Sequence, residues 1–139
     1  MVKELVRDEA VLSTPCEAAT ADDAALAQDL VDTLGSLEDA GCLAANQIGV
    51  ARAMAAVETE DGRVLVMANP RLLFGLGPSR VVEGCLTREE PSTVTRHIKI
   101  KVAFDELSDG KLVPRRREFT GFTAQMVQHM IDHCAGKLV

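Results

Sequence analysis

Two histidines, His129 and His133, stand four residues apart in the last stretch of the chain, where the surrounding pattern reads as a helix. At that spacing both rings project from one helix face and reach a single ion. Cys85 lies 44 residues upstream in Glu83-Gly84-Cys85-Leu86-Thr87, a segment without zinc-finger spacing. A metal site built from these three side chains is therefore tertiary, and any fold containing it must carry the Cys85 segment onto the face of the last helix. Three protein ligands leave one coordination position open, the arrangement of catalytic metal sites in which a bound water becomes acidic.

The rest of the pattern says how that could happen. Thr20, with Asp23 three residues later, reads as a capping box opening a helix over 21–38. Leu26, Leu30, Leu34 and Leu37 form its buried stripe. A run of small residues, 40–49, follows. Strands are expected at 51–57 and 63–68, joined by a turn through Asp61-Gly62. Ile98, Ile100, Val102 and Phe104 alternate with Lys99, Lys101 and Ala103, which predicts a strand with one buried face. Another strand is expected at 111–119. The closing helix runs over 121–134, with Thr120 as N-cap and Gly136 as its left-handed stop. This order is α+β, with antiparallel β-sheets packed around a C-terminal metal-binding helix, and 139 residues suit one domain, 1–139.

Composition narrows the function. A formal net charge of -6 argues against nucleic acid or anionic lipid as partner. With neither Tyr nor Trp there is little aromatic surface on which bases could stack. The one compact basic run, Arg115 to Arg117, reads as a solvated strand edge or turn. No window has the length and apolarity of a membrane span or a signal peptide, so a soluble, cytoplasmic protein with reduced thiols is expected.

Three runs in order, Leu43-Ala44-Ala45-Asn46-Gln47, Glu83-Gly84-Cys85-Leu86, and Gln128-His129 followed by Asp132-His133, together resemble the motifs of the peptide deformylases of the short bacterial type. Phe119 to Gln125 resembles the approach to the metal helix in the same family, so the likeness covers essentially the whole chain. It implies a hydrolase that removes the formyl group from N-formylmethionyl peptides, and a peptide N-terminus as substrate or ligand. It also implies one divalent ion, ferrous iron natively with nickel or zinc as replacements, held by Cys85, His129 and His133. Gln47 and the backbone N–H of Leu86 would stabilise the oxyanion. Gly41 and Cys42 would lie along the bound peptide.

Departures from the family pattern bear on activity. The residue after the first histidine should be the glutamate that shuttles the proton, and here it is Met130, whose thioether fills a similar volume but carries no proton. Strongly reduced activity is expected, or an inactive homologue that binds metal or peptide N-termini. Cys42 stands in place of a glycine. Its sulfur either turns toward the ion, where it would take the open position or pair with Cys85, or packs as a small buried hydrophobe. Cys134 is read as core, Glu83 as the group that orients a ligand histidine, and Asp132 with Arg96 as a structural pair.

Overall fold

The computed structural model describes residues 1–139. Helix α1 spans Glu9–Leu12, and the second helix, α2, spans Ala24–Gly35. The strands are β1 (Cys42–Ala44), β2 (Met54–Glu58), β3 (Val64–Cys85), β4 (Arg88–Ser108) and β5 (Lys111–Thr120). Helix α3 (Gly121–Cys134) closes the fold. All neighbouring strands are antiparallel, in the order β1-β2-β3-β4-β5, so β1 and β5 are the edges. The expected antiparallel architecture around the C-terminal helix is thus present, with its strands joined in one hydrogen-bonded ladder.

Strand β2 is buried on both faces, which explains its small side chains. Ala55 and Val57 join Val102, Phe104, Val127 and Met130 in one apolar cluster, under α3. Met54 and Ala56 join Leu26, Leu30 and Leu34 in the other, under α2. A strand between two helices has room for little more than alanine if the helices are to approach closely.

The structure departs from the predicted elements in several places, among them β4, which begins ten residues before Ile98. The capping box at Thr20 forms, but it opens a 3₁₀ turn, Ala21–Asp23, and the α-helix begins only at Ala24 and ends before Leu37. Residues 51–53 are not strand. Instead Ala51 and Ala53 hydrogen-bond to the Glu17 backbone, which ties the N-terminal segment to the body of the fold. The strand predicted to end at Ala68 continues for seventeen more residues to Cys85. Asn69-Pro70, Gly75 and Gly77-Pro78 look like punctuation in sequence. The ladder absorbs them as irregularities, with register shifts between Ala68 and Arg71 and between Leu72 and Phe74, and positive φ at Asn69 and Gly77. Ile98, predicted to be buried, is 65% exposed. It lies over Gly77 on the far part of the β3–β4 ladder, beyond the reach of the core that covers Ile100, Val102 and Phe104.

The closing helix matches its prediction closely. Thr120 is its N-cap, though its side chain makes no capping bond, and Gly136 has φ 77° after the last turn. The arginine run lies exposed on the edge strand β5. Beyond Lys99 that strand has ended, and β4 is left with open backbone groups. Gln128 of α3 supplies the missing partners: its Oε1 accepts from the His97 N–H at 2.8 Å, and its Nε2 donates to the His97 carbonyl at 2.9 Å. A side chain thus continues the ladder and fixes α3 against β4.

Gln128→Ala leaves the N–H and C=O of His97 without those partners, at a cost of about 2 kcal/mol. Urea denaturation should show a lower midpoint with an unchanged slope; an unchanged midpoint would show that the bonds contribute nothing net.

Candidate metal centre

The path of β3 and β4 delivers Cys85 to α3. Cys85 is the last residue of β3, pairs with Arg88, and is followed at once by the turn through Leu86 and Thr87. On α3, one face presents His129 and His133, both buried. The ligand atoms of Cys85, His129 and His133 all lie within 4.8 Å of one another. Cys85 Sγ is 3.4 Å from His133 Nε2, and the two Nε2 atoms are 3.1 Å apart. Tetrahedral bonds of about 2.3 Å to sulfur and 2.0–2.1 Å to nitrogen set separations of roughly 3.5 and 3.3 Å, close to the separations of His133 from Cys85 and from His129.

The tautomer fits as well. His129 Nδ1 is 2.9 Å from Glu83 Oε1, and a carboxylate can only accept, so Nδ1 carries a hydrogen and Nε2 is the nitrogen available to an ion once its proton is displaced. Glu83 is in turn gripped by Arg96, whose Nε and Nη2 donate to its two oxygens at 2.9 and 2.8 Å. Nη1 of the same guanidinium donates to Asp132 at 2.7 Å. Sequence places Glu83 with a histidine and Arg96 with Asp132. It does not disclose that Arg96 joins both carboxylates.

Charge in this cluster is strongly coupled. Burial raises the Glu83 carboxyl, but hydrogen bonds from His129 and Arg96 outweigh it and hold the group down to about 2. Burial likewise pushes the Cys85 thiol up, while hydrogen bonds from His129, His133 and Thr87 bring it down to about 5. His129 is opposed by burial and raised to about 9 by Cys85 and Glu83. A site that favours thiolate and extra positive charge is electrostatically prepared for a cation, whose binding displaces the proton.

Seven of the eight residues named from sequence, Gly41, Cys42, Gln47, Cys85, Leu86, His129 and Met130, line one cavity of about 440 Å³. His133 lies behind it, 1% exposed. The Gln47 amide is fixed in orientation because its Oε1 accepts from the Ala44 N–H at 2.9 Å. Its Nε2 therefore points toward Cys85 Sγ (3.4 Å) and Thr87 Oγ1 (3.2 Å). Met130 belongs at once to the cavity wall and to the apolar core, and is 2% exposed. Cys42 is half-buried, and burial holds its thiol up to about 12. It does not join the ligand group. Met126, which the sequence does not single out, lies over Gly41, where an added Cβ would sit 2.6 Å from its Sδ.

Fold and centre together define an α+β protein with a Cys-His-His group, of a kind able to hold a metal ion, between a sheet and its closing helix. The chain belongs to the polypeptide deformylase family, whose model matches residues 2–139. It is 34% identical to a peptide deformylase of Clostridium beijerinckii, over the full length of both chains. It is 39% identical to peptide deformylase 1 of Bacillus subtilis, over 99% of this chain and 87% of that protein. Among solved structures, a peptide deformylase from Thermus thermophilus superposes with a TM-score of 0.84 at 28% identity, covering 99% of this chain and 83% of that one. A class I type b peptide deformylase from Acinetobacter baumannii gives 0.84 and 28%, covering 99% and 97%.

Glu83→Gln removes the charge that orients His129 while keeping its shape, and should weaken zinc binding about 10–100-fold in a chelator competition. Unaltered affinity would mean that the Arg96–Glu83–His129 chain does not act on the metal.

Proposed function

We propose that this chain is a metal-dependent amidase scaffold for N-formylmethionyl peptides whose chemical step is slow because Met130 occupies the position of the proton-shuttling group. The observation that carries this reading is the juxtaposition of the Cys85, His129 and His133 donors with a buried thioether in the wall of the same cavity. Cys85, His129 and His133 would hold one divalent ion, with ferrous iron as the native metal and nickel or zinc as substitutes. When bound there, such an ion would supply Lewis-acid chemistry, lowering the pKa of a water and polarising a carbonyl.

The chain's own groups do the rest. The peptide lies beside Gly41 and Cys42, at the start of the edge strand β1, whose outer side has no strand neighbour and suits pairing with an extended chain. The Gln47 amide, pinned through Ala44, directs N–H at the cavity beside Cys85, and the Leu86 backbone N–H acts with it on the developing oxyanion. Preorganised donors of this kind lose about 10²–10³ in rate when one is removed. The remaining task is to take a proton from the nucleophilic water and give it to the leaving amine, and Met130 has no group that can do it. Binding without turnover, of a peptide N-terminus or of the metal alone, is the second reading, favoured by the same buried thioether.

Positioned acid/base groups contribute roughly 10²–10⁴-fold. Nickel-loaded Met130→Glu should therefore hydrolyse a formyl-Met peptide at least about 100-fold faster than the chain with Met130. Equal rates in both would place the proton transfer on another group.

A further inference from the structure

Two cysteines outside the cavity meet where the N-terminal segment crosses the end of the metal helix. Cys16 is half-buried, and Cys134, the last residue of α3, is buried. The Cys16 N–H donates to the carbonyl of Cys134 at 3.0 Å. With standard backbone bond lengths, one N–H···O=C bond of this length keeps the two Cα atoms within roughly 6.5 Å of one another, inside the roughly 4.4–6.8 Å range that a disulfide spans.

The backbones here are also held in place. Gly136, at φ 77°, lies so close to the N-terminal segment that an added Cβ would meet Pro15 N at 2.6 Å and the Thr14 carbonyl carbon at 2.7 Å. On the other side of Cys16, Glu17 N–H donates to the Ala51 carbonyl at 3.0 Å, and the Glu17 carbonyl accepts from Ala53 at 2.8 Å. Neither cysteine can drift from its neighbour without breaking these contacts. Cys42 and Cys85 have no such backbone bond, and Cys85 is committed to the metal group.

We infer that Cys16 and Cys134 are a disulfide-forming pair, a modification site that clamps the N-terminal segment to the end of the helix carrying His129 and His133. The co-reactant is a low-molecular-weight disulfide such as oxidised glutathione. Cys16, the more exposed thiol, attacks as thiolate and forms the mixed disulfide, releasing one glutathione thiol. Cys134 then attacks the Cys16 sulfur and releases the second. One protein disulfide and two glutathione thiols replace two protein thiols and one glutathione disulfide, so atoms and electrons balance. Because the closed loop takes in most of the chain, the bond removes much of the freedom of the unfolded state.

The test treats zinc-loaded, reduced protein with oxidised glutathione and digests it, after alkylation, with a protease that cuts after glutamate. The fragments 10–17 and 119–139 hold Cys16 and Cys134 separately from Cys42. The expected result is a linked pair of these two fragments, loss of two hydrogens from the intact mass, and a melting temperature raised by about 5 °C or more that dithiothreitol reverses. Cys16→Ser should abolish the link and the rise while keeping its zinc. Glutathione retained on Cys16, a link to Cys42 or Cys85 instead, or a link formed only in denaturant would overturn the inference.

Discussion

The buried guanidinium of Arg96 is the interaction on which the centre depends. It sits on β4, grips Glu83 on β3 with two hydrogen bonds, and reaches Asp132 on α3 with a third. Through Glu83 it also fixes the ring of His129. The three elements that supply or support ligands therefore meet at one charged group. Breaking a buried pair of this kind is costly, about 3–5 kcal/mol, because the charge left behind has neither water nor partner. That cost keeps Cys85, two residues beyond Glu83, at a fixed place relative to the helix.

Around this point the layers follow from side-chain size. The small residues of β2 let α2 and α3 approach the sheet from opposite sides, so α3 is packed along its length and its two histidines have little freedom. Met130 fits the same logic. A carboxylate there would face an apolar cluster of Val127, Val102 and Phe104, whereas the thioether extends that cluster to the cavity wall. On the proposed function, stability and chemistry pull apart at this position, since the residue that completes the core most easily is one that cannot move a proton.

Much of this is legible in the sequence because it rests on local or motif-like patterns. The helical spacing of His129 and His133, the alternation from Ile100 to Val102 and the Asp61-Gly62 turn each report a period or a turn chemistry that tertiary structure leaves intact, whereas Ala103, on the face expected to be open, is buried. What is not legible depends on partners distant in sequence. The second half of β3 looks like loop because Asn69, Pro70, Gly77 and Pro78 are ordinary breakers, and only pairing with β4 makes them strand. Ile98 looks buried because alternation carries no information about where the covering helix ends. Gln128 stands inside a recognisable motif, but its service to the His97 backbone follows from where β5 stops. The branching of Arg96 to two carboxylates has no sequence signal beyond charge.

On the proposed function, one sulfur and two imidazole nitrogens of the chain would hold the ion, and the fourth position would be left to a light oxygen donor. X-ray absorption at the metal edge of the nickel- or zinc-loaded protein reads that donor set. One sulfur scatterer is expected at about 2.3 Å with a shell of nitrogen and oxygen near 2.0–2.1 Å, and the sulfur should be lost in Cys85→Ser. Two sulfur scatterers, from Cys42 or Met130 entering the coordination sphere, or sulfur that persists without Cys85, would contradict the assignment.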